Sequence, residues 1–117
     1  MNIFVVTKFS LIIDRYGLPK DRETWFKYRS SLFFLSLYKS IKLNTKRPNK
    51  IILLLDSNDM IFFDKYIKGQ DFLNLVHPIF SKESNIKQKV EKYVHSEIEF
   101  GEKYILSAID SDDLISA

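Results

Sequence analysis

A chain of 117 residues, 45% of them hydrophobic and 15% aromatic, can bury one core without cross-links and is too apolar to stay disordered. It has no cysteine, which excludes a disulfide framework and a thiolate metal site and suits a cytoplasmic protein. Its 18 basic and 15 acidic residues are spread along the chain to a net charge of +3, which lends little support to a nucleic-acid partner. The apolar start, MNIFVVTKFSLII, is interrupted by Lys8 and has no basic leader before it. No run nears the ~20 residues that cross a bilayer, so neither a signal peptide nor a membrane span is expected.

Ile3 to Val6 has the β-branched and aromatic character of a strand buried on both faces. Asp14 to Glu23 contains Gly17 and Pro19 and reads as a loop. From Thr24 to Leu43 there is no Gly or Pro, and Arg29, Phe33, Leu37 and Ile41 recur at helical spacing, which predicts a long helix. Pro48 closes it, and the five aliphatics Ile51 to Leu55 form a second strand. Asp56, Ser57 and Asn58 can cap a short helix over Asp59 to Lys68, stopped by Gly69. Phe72 to Val76 reads as a third strand. Ser84 to Ile98 reads as a polar helix with Ile86, Val90, Tyr93 and Val94 on one narrow apolar face. After the Gly101 break, Tyr104 to Ile109 predicts a fourth, buried strand.

Alternating strands and helices imply an α/β fold: one open, mainly parallel sheet with helices on both faces, in a single domain over residues 1–117. Ligands of such sheets bind beyond the carboxyl ends of the strands, where the strand order reverses. That rule selects Thr7, Lys8, Phe9 and Ser10 after the first strand, Asp56, Ser57 and Asn58 after the second, and Asp110, Ser111, Asp112 and Asp113 after the fourth. Carboxylates about 4 Å apart repel by roughly 4 kcal/mol at an effective dielectric of 20. Three in four residues therefore need water, a proton or a hard divalent cation such as Mg²⁺ or Mn²⁺. The same DSDD string also suits the start of a helix, where Asp and Ser cap and negative charge is favoured.

KSIKLNTKRPNKIILLLDSND, followed later by GEKYILSAIDSDD, resembles the nucleotide-binding half of GT-A glycosyltransferases, in which one strand ends in Asp and a later one in a D-x-D motif. VVTKFS, with Trp25, Arg29, Leu32, Phe33, Ser40 and Ile41, more narrowly resembles the start of a rhamnosyltransferase family, and the likeness covers nearly the whole chain. The resemblance implies a Rossmann-like fold that binds a UDP- or dTDP-linked sugar with Mn²⁺ or Mg²⁺, for transfer to a saccharide acceptor. It implies Thr7 and Phe9 beside the base, Asp56 on base or ribose, Asp110 on ribose or sugar, Asp112 as metal ligand and Asp113 supporting the cluster. In such enzymes the acceptor-binding half and the catalytic base follow the D-x-D. A chain closing at Ala117 is therefore expected to be the donor-binding half alone.

Two other classes fit parts of the pattern. A receiver-like phosphoacceptor domain would also carry Asp56 at a strand end, but needs acidic residues after its first strand, where Thr7, Lys8, Phe9 and Ser10 stand. A non-catalytic α/β module or relic would use an exposed sheet edge for self-association or assembly. The remaining conspicuous residues read as structural. Trp25, Phe33 and Phe34 are expected in the core, Arg29 in packing or solvent, and His77 and His95 in surface or core roles. KLNTKRPNK is expected in a solvated loop at the amino end of the second strand.

Overall fold

Lys50–Asp56 is the strand on which the rest of the sheet is built. In the computed structural model, which describes residues 2–10, 22–43, 46–81 and 86–108, it is the second strand, β2. It pairs on one side with β1, Asn2–Lys8, and on the other with β3, Val76–Ser81. The outer partner of β1 is β4, Tyr104–Ala108. All three pairings are parallel and the order is β3-β2-β1-β4. The chain thus steps outward from β1 to β3 and then returns past β1 to lay down β4. The reversal makes β1 and β4 the switch point of a Rossmann-like sheet.

The unbroken aliphatic run of β2 follows from burial on both faces. Successive side chains of a strand point to opposite sides. Ile51, Leu53 and Leu55 join Val5 and Phe9 under α1 (Arg22–Phe33), α2 (Lys39–Leu43) and α3 (Met60–Tyr66), whose Phe26, Phe33, Ile41 and Phe63 complete that core. Ile52 and Leu54 pack with Phe4 and Ile79 against Val90 and Val94 of α4, Ile86–Glu97. Helices therefore cover both faces, as the element order implied. Each fully buried Ile, Leu or Phe contributes about 1.5–3 kcal/mol of transfer energy.

The long helix runs from α1 to α2 through a π-helical turn, Phe34–Tyr38. The wider turn lets two consecutive residues, Leu37 and Tyr38, both face inward between Phe33 and Ile41. Tyr38 uses this to donate its hydroxyl to Asp71 Oδ1 at 2.8 Å and to accept from the Leu73 amide, while burial pushes its ionisation up to about 12.

Three expectations need correction. The third strand is Val76–Ser81 and not Phe72 to Val76: Phe72 is 87% exposed, in a turn that Asp71 organises by accepting the Leu75 and Val76 amides. Pro78 sits inside this strand because β3 is an edge. The Ile51 amide donates to the Leu75 carbonyl, and Ile51 is paired with Val76, so the odd-numbered residues of β3 face β2. Val76, Pro78 and Phe80 turn their backbone groups outward, where a missing N–H costs no ladder bond. The short helix is Met60–Tyr66, preceded by a 3₁₀ turn at Ser57–Asp59, and Gly69 lies in a further 3₁₀ turn, Lys68–Gln70. Finally, β4 is not buried: Ile105 is 45% and Leu106 40% exposed, because the strand lies at the other edge.

Candidate functional site

The carboxyl ends of β1 and β2 are stitched together by the backbone. Both the Phe9 and Ser10 amides donate to the Leu54 carbonyl, at 3.0 and 3.2 Å, and Ser10 Oγ accepts from the Asp56 amide at 3.2 Å. This fold-over carries the Phe9 ring into the core, 2% exposed, with edge contacts to Phe26 and Phe33 at 5.0 and 6.1 Å. The ring therefore offers no free face, and a ligand beside Phe9 meets its backbone. Thr7 is 1% exposed, and its Oγ1 has no hydrogen-bond partner among the described residues. A buried hydroxyl left unpaired costs about 1–3 kcal/mol, so Thr7 is an unusual residue to keep at a strand end.

Asp56 ends β2 partly buried. Its Oδ1 accepts from the Asn58 amide at 2.8 Å and so caps the 3₁₀ turn, which is the capping role expected of this stretch. Its other oxygen has no hydrogen bond among the described residues. The Ser57 hydroxyl beside it is also without a partner there. Across the pairing, Asp56 stands opposite Ser81, whose Oγ is approached by Lys89 Nζ of α4 at 3.3 Å; the same ammonium reaches the Phe80 carbonyl at 3.4 Å. The edge thus combines one carboxylate, several hydroxyls and an ammonium, a set suited to a polar, hydroxyl-rich ligand.

The strongest electrostatic feature here was not among the expected site residues. Asp59 is fully buried and receives a two-pronged ion pair from Arg22, Nε to Oδ1 and Nη2 to Oδ2, both at 2.6 Å. The hydrogen bonds to Asp59 hold the Arg22 guanidinium above its ordinary pKa, with the negative charges of Asp59 and Asp56 adding to the effect. Next to it, Glu23 accepts from Tyr66 Oη at 2.6 Å and Lys65 Nζ at 2.8 Å. The start of α1 is therefore tied at two points to the start and end of α3. The fork geometry of Arg suits a carboxylate that must be paired when buried. Arg22 and Asp59 are 37 residues apart, and Asp59 by itself reads as a helix cap. A Pro-, Gly- and charge-rich stretch ending at Arg22 gives no signal for the pair.

Arg29, expected in packing or solvent, lies over the Trp25 ring at 5.7 Å, with Arg22 on the same ring at 6.0 Å. It packs, as the mid-helix position suggested. Phe33 is buried and Phe34 packs beside it. His77 stacks on Tyr93 at 3.6 Å between centroids, and His95 meets Tyr104 edge-on at 5.5 Å, so both histidines have aromatic structural contacts.

Of the expected site residues, Thr7 and Asp56 come to one edge, with the Phe9 backbone between them. Asp110, Asp112 and Asp113 lie outside the described residues. Among the described residues no group of three or more His, Asp or Glu is arranged to hold a metal ion, and Asp56 alone does not make one. No helix among them is long and apolar enough to cross a membrane. Searches of family models, curated proteins and solved structures found no match to this chain.

Proposed function

We propose that this chain is the donor-binding half of a GT-A-like glycosyltransferase, taking a UDP- or dTDP-linked sugar destined for a saccharide acceptor. One observation carries the reading. In the order β3-β2-β1-β4, β1 and β4 adjoin in parallel, so the strand that leads into Asp110 ends beside Thr7 and one strand from Asp56. That is the crevice in which open α/β sheets take nucleotides. Asp56 accepts from the base or a ribose hydroxyl through its free oxygen. Thr7 Oγ1, buried and unpaired, completes its hydrogen bonding when a ligand or water reaches it, and the Phe9 backbone lines the same path. Asp110 takes the ribose or sugar, Asp112 the cation, and Asp113 supports them. A divalent cation, when bound, supplies positive charge to the diphosphate as the nucleotide departs.

The test is a thermal melt with UDP or dTDP, with Mn²⁺ and then EDTA, beside Asp112→Ala. A ligand at a hundred times its dissociation constant adds about 2.7 kcal/mol, and each kcal/mol moves a domain of this size by roughly 4 °C or more. A rise that needs the cation and is lost in the variant supports the reading. A folded chain that no nucleotide shifts refutes it for this chain.

The exposed edge of β4 supports a second reading, an assembly module. Ile105 and Leu106 lie on opposite faces of one strand and are both exposed. Leu106, paired with Phe4, turns its backbone groups away from β1. A second copy pairing there in antiparallel register would set Leu106 against Leu106 and Tyr104 against Ala108, with no charge opposed. Sedimentation of the protein beside Leu106→Lys decides it: a dimer lost in the variant supports assembly, and a monomer at all concentrations removes it.

A further inference from the structure

A groove of about 540 Å³ lies between α3 and the outer edge of β3, within the roughly 300–1,000 Å³ typical of ligand sites. It flanks β3, at the opposite edge of the sheet from the β1–β4 switch point, and plays no part in the donor-site reading. Phe63, Val76, Pro78 and Phe80 provide its apolar lining, with Phe63 and Phe80 edge-to-face at 5.8 Å. Asp64 and Lys68 stand at its rim from α3 and the turn that follows, and neither has an ion-pair partner among the described residues.

The hydrogen-bonding character of the β3 wall is lopsided. Val76, Pro78 and Phe80 direct their backbone groups outward, as the pairing with β2 requires. The Val76 amide is already taken by Asp71 Oδ2 at 2.8 Å, and Pro78 has none. The Val76 and Pro78 carbonyls accept from no donor among the described residues. The wall therefore shows acceptors where a free strand edge would alternate donors and acceptors. An added strand needs that alternation and finds half of it missing. A free anion would face two carbonyl dipoles and the Asp64 carboxylate along the middle of the wall, with Lys68 at the rim and the Lys50 and Lys89 ammoniums already engaged by the Asn74 and Phe80 carbonyls at its two ends. A ligand that supplies the donors, and a positive charge with them, satisfies both carbonyls and Asp64 together.

We propose that the α3–β3 groove binds a small organic cation, a flat apolar body carrying an amidinium or guanidinium group. The body lies on the Phe63, Pro78 and Phe80 surface. The fork of N–H groups reaches the Val76 and Pro78 carbonyls and the Asp64 carboxylate. Lys68 sits where it limits the total positive charge the groove accepts.

Benzamidine is the probe, with benzoate as its anionic counterpart of the same shape, each titrated into the ¹⁵N-labelled full chain. The expected result is saturable shifts at the amides of Asp64, Val76, Ile79 and Phe80 with benzamidine and none with benzoate. Asp64→Asn is expected to weaken binding by about tenfold or more, as loss of a charge-assisted bond implies, and Lys68→Gln to tighten it. Both side chains are exposed, so each variant should keep the parent spectrum away from the groove. Non-saturable or scattered shifts, equal binding of benzoate, or an unchanged affinity in Asp64→Asn would overturn the proposal.

Discussion

The two edges of this sheet are built in opposite ways. Along β3 every outward donor before Phe80 is removed: Asp71 occupies the Val76 amide, and Pro78 has none to offer. Along β4 no outward group is blocked by the described residues: Tyr104 to Ala108 contains no proline and no charge, and among the described residues two of its aliphatics stay exposed. An edge strand left in this state is a template for another strand, and proteins that keep an edge free blunt it. The contrast teaches that β3 is closed to a further strand up to Phe80, whereas the described residues leave the outer edge of β4 open to one. Continuation there is compatible both with a crevice completed beyond β4 and with a partner strand.

Substitution of one aliphatic on each edge strand tests the contrast most strongly. Ile79→Ala on β3 removes a buried side chain packed against α4 and should cost about 3 kcal/mol, whereas Leu106→Ala on β4 should cost less than about 1 kcal/mol. Urea melts of the two variants check it, and equal losses would mean that β4 is covered in solution. Asp71→Ala releases the Tyr38 hydroxyl and two backbone amides at once and should cost about 2 kcal/mol. Amide exchange should then quicken at Val76 and leave β4 unchanged. Pro78→Val restores an outward N–H to β3 and should alter stability by under about 1 kcal/mol. Its readout is association: sedimentation should show new oligomers that Leu106→Lys does not remove.

The smallest effect is one of pH. His77 on β3 stacks on Tyr93 of α4, and burial lowers its pKa from 6.5, with Lys50 lowering it further and Glu97 opposing both. The unfolded chain therefore takes up the proton first as pH falls. The contribution is full above about 6.5 and declines below it, down to the folded-state pKa. His77→Phe keeps a stacking ring and should flatten that part of the stability profile, which melts across pH 5 to 7.5 would show.

What the sequence revealed follows from the range of each interaction. The run Ile51 to Leu55 is legible because burial on both faces needs no pattern beyond five aliphatics, and the α/β class follows from the order of elements. The third strand was placed too early because Pro78 argues against a strand until its position at an edge is known, and strand order is not written locally. For the same reason β4 looked buried: its apolar composition is that of an inner strand, and only the return of the chain past β1 puts it outside. The rule of carboxyl ends placed Thr7 and Asp56 at one edge of the sheet, where the structure has them. The burial of the Phe9 ring was missed because it depends on one carbonyl, that of Leu54, drawing two amides across to β2. Arg22 with Asp59, and Tyr38 with Asp71, are tertiary pairs whose partners each look like ordinary helix or turn residues on their own.

Trp25 is the only tryptophan of the chain, and the guanidinium groups of Arg22 and Arg29 both lie over its ring. One of these, Arg22, is the residue that anchors α1 to Asp59. The indole therefore works as a built-in optical gauge. Detachment of Arg22 changes the polarity around the ring and with it the emission maximum, so fluorescence without any added label follows whether the first helix is fastened beside the crevice.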